Sequence, residues 1–201
     1  MKKFLSSRGG AAAVCAVIIL LSVYFGAYRS LGTAVRSVQD SFSTGVEYKD
    51  NGKTYVHESI RSQLINRADA CTSMVSYTHN FEELSVQNEN LRSALNNLQD
   101  LLYNKGTPAQ LCSADKALES AVTALVAALD GIEFDSADTR NIEDAVSEMK
   151  GAAEVIKKSG YNEYVYDFNN RVLSVFPSNF LKKICFISPP EPYEQELRNE
   201  I

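Results

Sequence analysis

The most continuous apolar segment of the chain lies near its N-terminus. Between Gly9 and Tyr28 there is no charged residue, and nearly every side chain is apolar. About 20 helical residues at ~1.5 Å each cover the ~30 Å hydrocarbon layer of a bilayer. The pattern therefore predicts a short basic N-terminus, residues 1–8, followed by a transmembrane helix, residues 9–29.

A cleavable export signal is the alternative interpretation of this segment. Lys2 and Lys3 would form its basic end. A signal peptidase, however, needs small residues one and three positions before the cut, whereas Tyr24 and Phe25 crowd the end of the apolar run. We therefore expect a retained, single-pass anchor that contacts membrane lipid.

Helical spacing of apolar residues continues beyond the anchor. A stripe at four-three-four spacing consists of Leu31, Val35, Val38 and Phe42. It predicts that the anchor and the first bundle helix form one rod. The rod is expected to end at Gly45, and the Asn-Gly pair within Tyr48–Lys53 indicates a turn in the first loop.

The next stripe predicts one unusually long helix that begins at Ile60. Its seam keeps a three-four alternation, typical of a coiled coil, at Met74, Tyr77, Phe81, Leu84, Asn88, Leu91, Leu95, Leu98 and Leu102. Asn88 is the polar member of this seam and is expected to fix the register of the partner helices. Gly106 is expected to end the helix by turning left-handed.

Two further stripes predict a third and a fourth helix. Thr107 is expected to cap the third helix, with Gln110 closing a capping box. The apolar stripe of this helix is Leu111, Leu118, Val122, Leu125, Leu129 and Ile132. The stripe of the fourth is Ile142, Val146, Met149, Ala153 and Ile156, and after Gly160 it resumes as Tyr161, Val165, Phe168, Val172 and Val175. The fourth element is therefore one kinked helix or two helices.

Prolines mark the end of the helical region. Phe176-Pro177 is expected to end the fourth helix, because proline disfavours helical geometry in the residue before it. Ser178 or Asn179 is expected to cap a short final helix through Cys185. Residues 187–201 are rich in proline and are expected to be extended or disordered.

These patterns together predict the fold class. We find no strand-like alternation of any length. The protein is therefore predicted to be all-α, with an N-terminal transmembrane helix followed by an antiparallel up-and-down bundle of about four long helices, residues 30–186.

Charge constrains the partners and the orientation. Five of the 20 basic residues precede the first acid, which leaves 15 bases against 25 acids in the rest of the chain. Such a surface repels phosphate backbones, so nucleic acid is not an expected partner. The basic residues that flank the apolar run are Lys2, Lys3 and Arg8 before it and Arg29 and Arg36 after it. The N-terminal flank thus has three basic residues and the other flank has two. Because the more basic flank favours the cytoplasm, a cytoplasmic N-terminus and an extracytoplasmic domain at the cell membrane are predicted.

No residue pattern specifies a metal site, a cofactor or a reaction. Neither His57 nor His79 follows a glutamate by three residues, as di-metal helical bundles require, and the chain has no nucleophile elbow or phosphate-binding loop. We therefore expect no cofactor, no metal and no enzymatic activity. Cys71, Cys112 and Cys185 are expected to be buried thiols, with a Cys71–Cys112 disulfide as the alternative for an extracellular domain.

Arg67 and Asp69 form a polar group near the apolar face of the predicted long helix. Asn66 precedes them, so a polar cluster is expected at one end of the bundle. Helical bundles commonly use such groups to align their helices. We therefore favour an interhelical salt bridge or hydrogen-bond network over a ligand site.

The C-terminal third carries a series of aromatic–asparagine pairs. The series consists of Tyr161-Asn162, Phe168-Asn169 and Phe176-Pro177-Ser178-Asn179, and it is followed by Phe186 and Tyr193. With Arg67 and Asp69 in the segment Leu64–Asp69, it resembles the LemA family of bacterial membrane proteins. The resemblance implies a helical bundle on a membrane anchor in the bacterial cell envelope. The segments Tyr48–Tyr55 and Cys71–Ser73 depart from the family pattern, which indicates a divergent member.

The physical role of these pairs can be read from their spacing. Tyr161 and Phe168 share one face of a helix, and Asn162 and Asn169 share the adjacent edge. They are expected to pack against another helix and to bond their amides to polar groups there.

Three function hypotheses follow. The leading one is a non-enzymatic, membrane-tethered scaffolding or interaction protein that binds a partner protein. The alternative is an extracytoplasmic sensor or small-ligand-binding bundle with its site near Arg67 and Asn162, and the third is an enzyme with unrecognised residues. A binding module predicts a polar pocket between helices, whereas a scaffold predicts a dry core and an exposed apolar or aromatic patch.

Overall fold

The computed structural model of the protein describes residues 8–130, 132 and 135–193. The helices are α1 (Arg8–Thr44), α2 (Ile60–Thr78), α3 (Ser85–Tyr103), α4 (Pro108–Ala128), α5 (Ser136–Lys157), α6 (Tyr161–Phe168) and α7 (Ser178–Ile184). A short 3-10 turn, Glu82–Leu84, precedes α3, and a π-helical turn, Asn169–Leu173, follows α6. Within the described residues the protein is all-α apart from one small hairpin, as the sequence predicts.

The chain divides into two compact units. The first unit comprises Met1–Gln39 and Tyr166–Pro190, and the second comprises Asp40–Val165 and Glu191–Ile201. Most of the predicted basic N-terminus and the last eight residues of the predicted tail lie outside the described residues.

α1 begins as a long apolar helix and is long and apolar enough to cross a membrane. Its apolar part is not a core helix, because only 6% of the most hydrophobic stretch is buried. The predicted stripe of Leu31, Val35, Val38 and Phe42 is buried, and α1 ends at Thr44 as expected. Gly45 follows with φ 86°, a left-handed conformation that favours glycine.

The segment predicted as a first loop is a β-hairpin instead. β1 (Glu47–Asp50) pairs antiparallel with β2 (Lys53–Val56), and the Asn51-Gly52 turn has positive φ at both residues. This is the geometry that Asn-Gly favours in two-residue hairpins. All eight strand residues are exposed, so the hairpin has no buried face to impose an apolar alternation on the sequence.

The second unit is built around an antiparallel bundle of α2, α3, α4 and α5. α2 packs against α3 and α5, and α3 packs against α4. The core is largely leucine, and its fully buried members include Leu64, Leu84, Leu91, Leu98, Leu111, Leu118 and Leu125. α4 begins with the predicted capping box of Thr107 and Gln110.

The prediction of one long second helix is wrong. α2 ends at Thr78 and α3 begins at Ser85, and the side chain of Arg61 near the start of α2 donates to the carbonyl of Leu102 near the end of α3. The two helices therefore form an antiparallel hairpin. The predicted seam is still largely buried, but it belongs to two helices that face each other. After α3, Lys105 rather than Gly106 takes the left-handed conformation.

Asn88 holds the α2–α3 hairpin closed. The Thr78 hydroxyl donates to Asn88 Oδ1 at 2.6 Å, and Asn88 Nδ2 donates to the Thr78 carbonyl at 2.9 Å. The Thr78 carbonyl also accepts a hydrogen bond from the Phe81 N–H at 3.2 Å, so Asn88 supplies the second hydrogen bond to this carbonyl at the end of α2. Its expected role in alignment is consistent with these bonds.

The first unit has its own small core. Leu31 and Val35 of α1 pack with Leu173, surrounded by the half-buried Phe168, Leu181 and Ile187. The predicted stripe through Val172 and Val175 is wrong, because both are exposed and Leu173 is buried in their place. The π-helical turn adds residues to one helical turn and so shifts the phase of the stripe. α7 begins without a side-chain cap, so the expected cap by Ser178 or Asn179 is also wrong.

Candidate functional site

The guanidinium of Arg67 is the centre of a buried polar cluster in the second unit. Arg67 is 2% exposed. Its Nε donates to Asp115 Oδ1 at 2.6 Å, and its Nη1 donates to the Met149 carbonyl at 3.0 Å. Nη2 lies 3.4 Å from Glu119 Oε2. One side chain of α2 therefore binds both α4 and α5.

Asp115 joins this arginine to the C-terminal segment. Its Oδ2 accepts a hydrogen bond from the Tyr193 hydroxyl at 2.8 Å, so both carboxylate oxygens are occupied. Burial raises the pKa of Asp115, and the adjacent Arg67 opposes that rise. Burial, and then the charge of Asp115, raise the pKa of Tyr193, which keeps its hydroxyl protonated as the donor. We call Arg67, Asp115 and Tyr193 the buried triad.

The residues before Tyr193 are held by the first aromatic–asparagine pair. The Tyr161 hydroxyl donates to the Glu191 carbonyl at 2.9 Å, and the backbone N–H of Tyr193 donates to Asn162 Oδ1 at 2.8 Å. The ring of Phe42 contacts the rings of Tyr161 and Tyr193 at centroid distances of 5.4 and 6.0 Å. The second pair acts similarly in the first unit, where Asn169 Nδ2 donates to the Pro190 carbonyl at 3.1 Å.

The aromatic–asparagine pairs pack their rings against another helix, as their spacing predicts, because Tyr161 contacts Phe42 of α1 and Phe168 packs against the apolar stripe of the same helix. Their amides bond to the backbone of the irregular C-terminal segment, not to another helix. Residues 187–193 have no regular secondary structure, as expected for this part of the tail. Pro190 and Tyr193 are nevertheless buried, so the segment is ordered by side chains that precede it by 20 to 80 residues.

Other predicted site residues lie outside the buried triad. Asp69 is exposed on α2, whereas Arg67 forms the expected interhelical salt bridge, with Asp115 of α4. Phe168 packs in the core of the first unit. Phe176 is 79% exposed and Pro177 is also exposed, so neither belongs to a buried site.

Asp115 is the site residue that the sequence reasoning missed. A usable signal was present, because Asp115 follows Leu111 by four residues and precedes Leu118 by three. It is therefore an acid on the apolar face of α4, and a buried acid requires a partner. The identity of that partner is not encoded nearby, since Arg67 and Tyr193 are 48 and 78 residues away.

A cleft lies beside the buried triad. It has a volume of about 550 Å³, and its lining includes His57, Lys116, Lys157, Asn162 and Tyr193. Arg67 and Asp115 also border it, but their polar atoms already bond to each other and to their neighbours. This saturation leaves them little capacity to act as an acid, a base or a nucleophile.

The cleft continues as a groove between α4 and α5, which stand further apart than the other neighbouring helices. A middle section of about 530 Å³ includes Val122, Val126, Val146 and Met149 in its lining. An end section of about 660 Å³ shares Val126 and Val146 with it and adds Leu129, Ile132 and Ile142. We call these two apolar sections the α4–α5 groove.

The thiols do not supply a reactive group in this region. All four cysteines lie in the described part of the chain, and none is disulfide-bonded, so Cys71 and Cys112 do not form the alternative bridge. Burial raises the pKa of the Cys71 thiol to about 12, and its Sγ lies 3.2 Å from Met149 Sδ. Within residues 8–130, 132 and 135–193, no cluster of three His, Cys, Asp or Glu residues is arranged to bind a metal ion.

The chain was compared with known proteins at three levels. Comparisons with protein-family models, with characterised proteins and with solved structures found no match.

Proposed function

We propose that this protein is a non-enzymatic, single-pass membrane protein whose bundle binds a partner protein through the α4–α5 groove. The groove is the observation that carries the proposal. Its floor is apolar, with Val122, Val126 and Val146, and it lies open between two helices. Apolar grooves between helices are a recurring site for the apolar face of an amphipathic helix.

The dimensions and charge of the groove define the partner segment. From Glu119 to Leu129, α4 provides a wall of about 15 Å, which matches a helix of roughly three turns. The apolar end is rimmed by Asp130 and Glu143 as well as Lys150. The expected occupant is therefore an amphipathic helix with apolar residues at three- and four-residue spacing and at least one basic residue beside Asp130 and Glu143.

Membrane anchoring and location complete the proposal. α1 is the anchor, the domain is extracytoplasmic, and the chain is a divergent member of the LemA family of the bacterial cell envelope. The support is the exposed apolar part of α1 and the use of Tyr161, Asn162 and Asn169 to hold the C-terminal segment. An engineered cysteine at the exposed Asp144 tests the orientation, because a membrane-impermeant thiol reagent should label it in intact cells. Labelling only after lysis would place the domain in the cytoplasm.

Site-specific photocrosslinking tests the groove. A photoreactive amino acid at Val126 should yield one discrete adduct in intact membranes, and the crosslinked partner peptide should be an amphipathic helical segment. The matched control is Val86 on α3, which is 64% exposed and does not line the groove. Val146→Glu should abolish the adduct at Val126, because it places a charge on the apolar floor. Equal adducts at Val126 and Val86, or an adduct insensitive to Val146→Glu, would refute the groove.

A small-ligand-binding function is the second candidate. The cleft of about 550 Å³ beside Asn162 falls in the size range of small-molecule sites, and Lys116 and Lys157 favour an anionic ligand. Small carboxylates and inorganic phosphate should then raise the melting temperature of the full chain, and Lys157→Gln should reduce that rise. A melting temperature unchanged by these anions would count against this candidate and leave the α4–α5 groove unaffected.

A further inference from the structure

Several large apolar side chains are exposed in the first unit, beyond those of the apolar run of α1. Phe176, Phe180 and Ile184 follow one another at four-residue spacing, from two residues before α7 to its last residue, and they are 79%, 56% and 42% exposed. Phe186 comes just after α7 and is 90% exposed. Together these four residues form what we call the phenylalanine patch. Such concentrated exposed apolar surface indicates a contact with another molecule or a membrane.

The other side of α7 fixes its position along α1. Leu181 and Ile187 pack against the core that contains Leu31 and Val35 of α1. Leu31 and Val35 lie three and seven residues beyond Tyr28, the end of the apolar run, which corresponds to about 5 and 10 Å along the helix axis. The headgroup layer is ~5–8 Å thick on each side of the hydrocarbon core. Leu31 therefore lies within the headgroup layer and Val35 just beyond it, so α7 packs on α1 at the outer part of this layer if α1 spans the membrane.

A groove between α1 and the residues after α7 leads to the same level. It has a volume of about 630 Å³ and is lined by Phe25, Tyr28 and Arg29 on α1 and by Phe186 and Ile187. Phe186 is thus placed beside the last turn of the apolar run. Aromatic side chains are enriched at this depth, where one end of the ring contacts hydrocarbon and the other contacts water.

The charge of the first unit suits an anionic membrane surface. Residues 29–39 and 166–190 contain one acid, Asp167, and five basic residues: Arg29, Arg36, Arg171, Lys182 and Lys183. Asp167 is itself paired with Arg171 at 3.4 Å. Residues 40–165, by contrast, contain 20 acids and 11 bases. These residues of the first unit therefore carry a net charge of +4 (5 − 1), whereas residues 40–165 carry −9 (11 − 20).

We propose that α7 and the phenylalanine patch dock into the headgroup layer of the membrane that α1 spans, with Lys182 and Lys183 binding anionic lipid headgroups. The chain would then contact the bilayer through two segments, α1 and α7, that are far apart in the sequence. Apolar side chains beside basic ones are the composition of interfacial membrane-binding segments. This inference rests on the proposed role of α1 as a membrane anchor.

Tryptophan fluorescence tests the docking, because the chain contains no tryptophan. The full chain is reconstituted in vesicles of phosphatidylcholine and phosphatidylglycerol, with or without brominated acyl chains that quench tryptophan. Single variants Phe180→Trp and Phe186→Trp report on the patch, and Phe25→Trp reports on the anchor. Tyr103→Trp in the second unit is the control, because Tyr103 is 86% exposed and lies on the polar side of α3.

The expected result is quenching of Phe25→Trp, Phe180→Trp and Phe186→Trp, at least about twofold stronger than that of Tyr103→Trp. Replacing Lys182 and Lys183 with Gln should weaken the quenching of Phe180→Trp in anionic vesicles. Quenching of Phe25→Trp alone would overturn the docking and leave the anchor intact, since the patch would then face water or a protein. No quenching of Phe25→Trp would overturn the anchor and the docking together.

Discussion

The carboxylate of Asp115 is the group whose removal tests the buried triad most directly. Asp115→Asn nearly keeps the shape of the side chain but removes its negative charge. Arg67, 2% exposed, would then face the Met149 carbonyl and Glu119, whose side chain is 66% exposed and lies 3.4 Å away. Removing one partner of a buried ion pair costs ~3–5 kcal/mol. Because Met149 and Glu119 still contact the guanidinium, we expect the free energy of unfolding to fall by about 3 kcal/mol.

Tyr193→Phe provides a smaller change at the same carboxylate. It removes the 2.8 Å hydrogen bond to Asp115 but keeps the ring that packs beside Phe42. A hydrogen bond to a charged group contributes ~1.5–3 kcal/mol, so we expect a loss of about 2 kcal/mol. Both changes act on one carboxylate, and the double variant should therefore lose less than the sum of the two single variants.

Urea unfolding of the full chain in nonionic detergent micelles, followed by far-UV circular dichroism, measures these free energies. The matched control is Asp69→Asn, which makes the same chemical change at an exposed position of α2. It should alter the free energy of unfolding by less than about 0.5 kcal/mol. If Asp115→Asn cost no more than Asp69→Asn, the ion pair with Arg67 would not be desolvated and the reasoning would be refuted. Strictly additive losses would show that Tyr193 acts independently of Asp115.

Two further predictions concern the backbone and a buried thiol. Gly45→Ala should destabilise the protein by on the order of 2 kcal/mol or more, because Gly45 has φ 86° and a Cβ there would lie 1.9 Å from the carbonyl oxygen of His57. The control Gly151→Ala, in the open surface of α5, should stabilise the protein by about 0.5–1 kcal/mol. Equal changes of the two unfolding free energies in urea would contradict this prediction. Burial raises the pKa of Cys71 from 9.0 to about 12, so its stabilising contribution is complete below pH 9 and is lost as the pH rises towards 12. The unfolding free energy should then fall by about 1.4 kcal/mol per pH unit more in the wild type than in Cys71→Ala over this range, and equal slopes would exclude a buried thiol.

Helix ends and helical faces could be predicted from the sequence because their causes are local. The stripe of Leu31, Val35, Val38 and Phe42 is buried, and the rod ends before Gly45, as the spacing and the glycine indicate. The capping box at Thr107 forms because its two partners are three residues apart. Such features depend on neighbours within one or two helical turns, which the sequence lists directly.

The break between α2 and α3 could not be predicted in the same way. The three-four alternation runs without interruption through Tyr77, Phe81 and Leu84, and no glycine or proline lies in the turn. An antiparallel hairpin buries the two halves of such a seam against each other. One long helix would bury the same residues equally well against a partner helix, so the apolar pattern does not distinguish the two structures. Thr78 and Asn88 favour the hairpin only once they meet in space.

The candidate site could likewise be predicted only in its local features. By itself, the sequence identified Arg67 as a polar residue near an apolar face, and it selected Tyr161, Asn162 and Asn169 as a motif. The interhelical salt bridge favoured for Arg67 is confirmed, but the sequence did not identify Asp115 of α4 as its partner. Only the tertiary structure decided these pairings. A buried charged side chain pairs with the group of opposite charge that helix packing places within about 3 Å of it, and that group can be far away in the sequence.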